Sequence, residues 1–276
     1  MKRTLRSKRH LFTAAIQIRQ ISSFKAKTSS LLEVATMGKI IAVCGAPGSG
    51  KTTVALKVAE EIYYSKNGSV IFLSPDLNVP CLAFIFPNCK EEELYSVGVA
   101  LDRTDIYRED ILRQINHVKT MENFGFLGYK AGENVYSYPR PTEDKILNLF
   151  SLLRELADYV IIDCAGNADE IISSMAKSHS DRVIQLINPD LKCMAYYSSN
   201  AGMFELRAEN RIKVMNIGDK DLFLPTSEVA NHFKGVDFTL PFSKALKHQT
   251  ITGTLSERLP DAKYRSVAAG IAKAVI

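Results

Sequence analysis

The sequence predicts an α/β fold in which a mostly parallel sheet is flanked by helices on both faces. Short apolar runs rich in Val and Ile alternate along the chain with stretches of helical spacing, the pattern of strands joined by helical crossovers. Two of those runs end in residues suited to phosphate and metal chemistry. Ile40-Ile41-Ala42-Val43-Cys44 leads into Gly45-Ala46-Pro47-Gly48-Ser49-Gly50-Lys51-Thr52, and Tyr159-Val160-Ile161-Ile162 ends in Asp163. At 276 residues and 46% hydrophobic content, the chain can bury one large core, and one domain over 37–276 is expected rather than two.

Residues 45–52 match G-x-x-x-x-G-K-[ST] in full, so this domain reads as a single P-loop NTPase domain. The chemistry explains the spacing. Gly45, Gly48 and Gly50 let the backbone wrap closely enough that the N–H groups around Ser49, Thr52 and Thr53 point at phosphates, and the following helix adds partial positive charge at its N-terminus. Lys51 reaches the β- and γ-phosphates, and the Thr52 hydroxyl ligates Mg²⁺. The competing reading is a glycine-rich turn that merely links a strand to a helix. It is weakened by the helical spacing of Thr53–Ile62, which supplies the flanking element the motif needs.

Beyond the first helix, Asn67-Gly68 reads as a turn and Ser69–Leu73 as a second strand, ending in the polar loop 74–80. Ligands of open α/β sheets collect at the carboxyl ends of strands, so Asp76 is expected to meet the phosphates, the metal or the attacking water. Asp76 also suits a turn or a helix cap. Cys81–Phe86 is strongly apolar, Arg108–Thr120 has helical spacing with His117 as a surface or packing residue, and Phe124–Tyr129 suggests a strand. Pro139 and Pro141 precede an amphipathic helix over Thr142–Leu156, with Thr142 as its N-cap.

The run ending in Asp163 has the Walker B form, in which a carboxylate holds the Mg²⁺ shell from a strand tip. Gly166, three residues on, can bring a backbone N–H to the γ-phosphate. A helix over about 168–177, a strand Arg182–Ile187, the Asn188-Pro189-Asp190 turn and a helix over about 191–207 follow. The strand Ile212–Asn216 ends on the same edge of the sheet, where the Asn216 amide suits either the adenine edge or a loop contact of its own. A strand Val236–Leu240, Pro241 and a helix over about 261–274 complete the pattern.

Charge is unevenly spread. The chain carries +5 overall, but residues 1–36 hold eight basic side chains against Glu33 alone, which leaves 27 basic and 29 acidic residues in the body. The body therefore offers no global electrostatic case for DNA. The basic extension 1–36 admits three readings: a targeting or membrane-surface segment, a disordered arm, or residues upstream of a natural start at Met37. The position of Met37, immediately before Gly38-Lys39 and the first strand, favours the last. No apolar run approaches a membrane span. Five cysteines without a C-x-x-C pair suggest reduced thiols and a cytoplasmic protein, with Cys44 and Cys164 as core residues.

The order of these elements, with "DYVIIDCAG", "VIQLINPDLKCMAYYSSN" and "KVMN", resembles the MinD/ParA group of deviant Walker A ATPases, and most of all its divergent CpaE/TadZ type, over nearly all of 39–276. The resemblance implies a homodimer that closes over two ATP molecules, recruits a protein partner of unspecified identity, hydrolyses and separates. Residue by residue it implies phosphate and Mg²⁺ at Lys51 and Thr52, a switch I carboxylate at Asp76, switch II at Asp163 and Gly166, and adenine at Asn216. There are departures. The extra loop lysine of the family is replaced by Ala46, Pro47 replaces the next glycine, Ser74 stands where a further aspartate is frequent, and the amphipathic membrane tail of MinD has no counterpart before Ile276. Two other classes share the loop: a small-molecule or nucleotide kinase, for which Arg103 and Arg108 are the lid candidates, and a non-hydrolysing nucleotide-dependent scaffold. Lys244, Lys247, Arg258, Lys263 and Arg265 form either a basic face or an ordinary solvated surface.

Overall fold

The computed structural model describes residues 37–66, 68–167, 169–202, 208–221 and 224–276. Its strands are β1 (Lys39–Gly45), β2 (Val70–Ser74), β3 (Asn116–His117), β4 (Phe124–Gly128), β5 (Tyr159–Asp163), β6 (Arg182–Ile187), β7 (Arg211–Asn216) and β8 (Phe238–Leu240). They form one eight-stranded sheet in the order β3-β4-β2-β5-β1-β6-β7-β8. Every neighbouring pair is parallel except the edge pair β3–β4. The helices are α1 (Lys51–Lys66), α2 (Leu82–Ile85), α3 (Val97–Leu101), α4 (Arg108–Leu112), α5 (Glu143–Leu156), α6 (Ile171–His179), α7 (Leu191–Ser199), α8 (Thr226–His232), α9 (Lys244–Thr252) and α10 (Ala262–Val275).

β1 is central because both of its faces are covered. Ile41 and Val43 pack toward α1 and α10, among Val54, Val58, Ala268 and Ile271. Ile40, Ala42 and Cys44 face the other way, against Ile146, Leu149 and Leu153 of α5 and Ile172 and Ala176 of α6. A strand buried on both sides reads as an unbroken apolar run, which is why 40–44 lacks polar alternation. Cys44 and Cys164 are core residues as expected, and none of the five cysteines is bridged.

The major elements fall where the periodicity puts them. Thr142 caps α5, its hydroxyl oxygen accepting from Lys145 N at 3.3 Å. The helix expected over 108–120 is different: α4 ends at Leu112, and Asn116-His117 turns into an antiparallel edge pairing with Phe126 and Gly125. The Asn116 side chain accepts from Tyr95 N at 2.9 Å and donates to Tyr95 O at 2.8 Å, replacing a neighbouring strand on that side. These long-range bonds override a local helical spacing. Cys81–Phe86 holds one short helix, and α8 and α9 have no counterpart in the sequence reading. α6 begins after Glu170, whose carboxylate accepts from Ile172 N and Ser173 N at 2.9 and 2.6 Å. α7 ends at Ser199. Asn67 of the expected turn, Ala168, 203–207 of the longer helix and the extension 1–36 lie outside the described residues. Among those described, no helix is long and apolar enough to cross a membrane.

One polar contact ties the first helix to the C-terminal third. Lys57, 2% exposed, reaches Glu60 at 3.0 Å and donates to the carbonyls of Leu255 and Glu257 at 2.7 and 2.8 Å. Burial pushes the Glu60 carboxyl up, to about 7, against the pull of Lys57. Replacing Lys57 by Met strands a buried carboxyl and two carbonyls, and the expected loss is about 3–5 kcal/mol by urea denaturation. Without its partner Glu60 titrates still higher when folded than when unfolded, so its protonation stabilises the fold at low pH and that contribution vanishes as pH rises. The deficit of Lys57→Met is therefore expected to be smaller at pH 5 than at pH 8.

Candidate functional site

The loop between β1 and α1 turns on two glycines in the left-handed region, Gly48 at φ 79° and Gly50 at φ 86°. A Cβ on Gly50 would stand 2.7 Å from Asn216 Nδ2, and one on Gly45 would meet Ser49 Oγ at 2.7 Å. The loop is also held from behind by residues at two strand ends. Asn216, ending β7, donates from Nδ2 to Ser49 O at 2.8 Å. Asn188, just past β6, donates to Asn216 O at 3.3 Å and lies 3.5 Å from Ser49 O. Ala46 turns its methyl inward against Cys193, Tyr197 and Met215, so no side chain at that position reaches the cleft.

Lys51 folds back over the loop and donates from Nζ to Ala46 O at 3.0 Å. Burial lowers its pKa while the charge of Asp163 raises it. Asp163 arrives from the tip of β5, which β1 fixes by pairing Val43 with Asp163. Its Oδ2 accepts from Thr52 Oγ1 at 2.6 Å and from Ser74 Oγ at 3.1 Å. Its Oδ1 is buried with no hydrogen-bond partner among the described residues. Burial pushes this carboxyl up to about 6, opposed by the Thr52 bond and the Lys51 charge. A buried carboxylate with one oxygen bound to a threonine hydroxyl and the other unsatisfied fits a hard cation with oxygen ligands.

Lys51, Thr52, Asp76, Asp163 and Gly166 line one cleft of about 760 Å³. Gly48, Gly50 and Thr53 line both it and an adjoining cleft of about 370 Å³, where Ser49 and Asn216 also lie. Gly45 sits beneath the loop as a close-packing position. Asp76 is a turn aspartate that also lines the cleft. Its Oδ1 accepts from Asn78 N and Val79 N at 2.9 and 3.2 Å, the bonds of a turn aspartate, while the residue lines the cleft beside Asp163. Gly166 lies against the loop, where a Cβ would come within 3.1 Å of Pro47 Cγ and 3.3 Å of Lys51 Nζ. Asn216 spends its amide nitrogen on the loop, donating to Ser49 O, and lines the smaller cleft.

Two residues of this site carry no clear signal in the sequence. Ser74 ends β2 and binds Asp163, and Asn188 follows β6 and supports the loop. Both are polar residues directly after an apolar strand, the pattern that singled out Asp76 and Asn216, but only the sheet order makes them neighbours of the loop.

No protein-family model matches the chain, and no curated protein matches it. Solved structures do. A ParA family ATPase from Chlorobium tepidum TLS superposes with a TM-score of 0.68 at 13% identity, over 86% of this chain and 98% of its own. The cell division ATPase MinD of Pyrococcus furiosus superposes with a TM-score of 0.67 at 18% identity, over 86% and 98%. The chain has the MinD/ParA fold. The septum site-determining protein MinD of Pyrococcus horikoshii OT3, complexed with Mg-ADP, gives a TM-score of 0.64 at 17% identity, over 87% and 96%. At such identities the MinD/ParA likeness is one of backbone architecture, and the chemistry has to be argued from this chain's own residues.

Two glycines near Asn216, Gly50 of the loop and Gly218 just past β7, allow a direct check. Gly50→Ala combines a left-handed φ with a clash against Asn216 and is expected to lose about 1–3 kcal/mol in thermal or urea denaturation. Gly218→Ala, with open space around its Cα, is expected to stay within about 0.5 kcal/mol.

Proposed function

We propose that residues 37–276 form a Mg-ATP-binding P-loop domain of MinD/ParA type, an ATPase that switches between monomer and dimer to position or partition a cellular assembly in the cytoplasm. The observation that carries this reading is the convergence of Thr52 and Asp163, 111 residues apart, at 2.6 Å beside Lys51. Lys51 and the backbone of 48–53 take the phosphates. Thr52 and Asp163, with Asp76 across the cleft, hold Mg²⁺, which when bound neutralises charge developing on the transferred phosphoryl group. Gly166 is small enough for its backbone to approach the terminal phosphate past Pro47 and Lys51. The adjoining cleft takes the base, with Asn216 presenting its amide oxygen.

Support for a dimer comes from the mouth of the clefts. Val79 and Ile251 are 61 and 76% exposed there, an apolar fringe suited to a second copy of the chain. The CpaE/TadZ likeness rests on Ala46 in place of a loop lysine. For a kinase the sequence offered Arg103 and Arg108 as lid residues. Neither lines a cleft, and Arg103 Nε is paired with Asp110 at 3.2 Å.

Lys51→Ala is expected to abolish ATP binding measured by calorimetry, and unchanged affinity would remove the central claim. Asp76→Ala should bind Mg-ATP but lose turnover; an unaltered rate would leave Asp76 with its turn role alone. Light-scattering masses with Mg-ATP and Mg-ADP should give a dimer only with ATP. A monomer in both states would turn the search toward a phosphate acceptor.

A further inference from the structure

The phosphate loop supplies only one cationic side chain, Lys51, because Ala46 is packed into the core. A second cation stands at its open side. Lys192 Nζ lies 3.9 Å from the point a Cβ on Gly48 would occupy, and among the described residues, the two chain neighbours Pro47 and Ser49 aside, nothing else comes within 4 Å of that point. Lys192 itself is exposed, and no carboxylate forms an ion pair with it among the described residues. It also sits in the first turn of α7, where the helix dipole disfavours positive charge. Its ammonium is free of a competing carboxylate among the described residues.

Its mount is built. Asp190 caps α7 by accepting from Cys193 N at 2.7 Å, and Asn188 N donates to Cys193 Sγ at 3.2 Å. The Asn188 side chain in turn reaches Ser49 O and Asn216 O. The turn that presents Lys192 is thereby tied to the backbone of the loop over which its ammonium lies.

We propose that Lys192 is a second phosphate-binding residue, placing its ammonium on the phosphate chain of a bound nucleotide beside Gly48 of the loop. The inference rests on the nucleotide-binding reading of the loop. An exposed lysine side chain beside Gly48, a residue that lines both clefts, fits a polyanion that arrives after folding.

The test is calorimetric titration of Mg-ATP into the full chain, its Lys192→Met and Lys192→Arg variants, and Lys51→Ala, at two salt concentrations. Lys192→Met is expected to weaken Mg-ATP binding about five- to tenfold at low salt and to flatten its salt dependence, with Lys192→Arg close to wild type. Thermal denaturation of the unliganded Lys192→Met chain should match or slightly exceed wild type, because removing the charge relieves the dipole. Wild-type affinity and salt slope in Lys192→Met, with binding lost in Lys51→Ala, would overturn this role and leave the nucleotide reading standing. No binding by the wild-type chain would overturn both.

Discussion

The site depends on a buried carboxylate. Asp163 is 3% exposed, and taking such a group out of water costs several kcal/mol unless hydrogen bonds or a cation compensate it. Thr52 and Ser74 both serve one oxygen, and the other has no partner among the described residues. The two bonds hold the first turn of α1, the tip of β2 and the tip of β5 in one arrangement, and the unserved oxygen leaves a place where positive charge is favoured. The raised titration of the carboxyl and the lowered one of Lys51 are two faces of the same dry environment.

Parallel pairing is what brings these groups together. With β1 between β5 and β6, the ends of β1, β5 and β6 lie side by side, and β2 and β7 follow on either flank. Side chains just past those ends are therefore neighbours whatever their separation in sequence. Asp163 and Ser74 meet on one side of the loop, and Asn188 and Asn216 on the other. The loop between them turns through two left-handed glycines and is kept in place by side-chain amides donating to Ser49 O.

The remote end of α1 is anchored by a different device. Lys57 and Glu60 are buried together and bonded to the chain at 255–257, so the helix that carries Lys51 and Thr52 is pinned to the C-terminal segment as well as to the sheet. A buried ion pair is a costly anchor compared with apolar packing, but it is directional. It sets the axial position of α1 against α9 and α10, and hence the wall of the smaller cleft, to which Thr250, Ile251 and Tyr264 contribute.

The sequence by itself determined the fold class, the long strands and helices, and the loop with Lys51, Thr52 and Asp163, because each is a local signal: an apolar run buried on both faces, a helical spacing, or a motif whose glycines answer to backbone geometry. It also marked Asp76, Gly166 and Asn216 as strand-end residues. Only the tertiary structure decided what those residues touch. Asp76 divides itself between a turn and the cleft, Asn216 gives its nitrogen to Ser49, Arg103 turns to Asp110, and Asn116 is drawn from a helical spacing into an edge strand. Ser74 and Asn188 entered the site for the same reason. Their places are set by the order in which the strands pair, a long-range choice made by burial and hydrogen bonding across the whole sheet, and no window of neighbouring residues contains it.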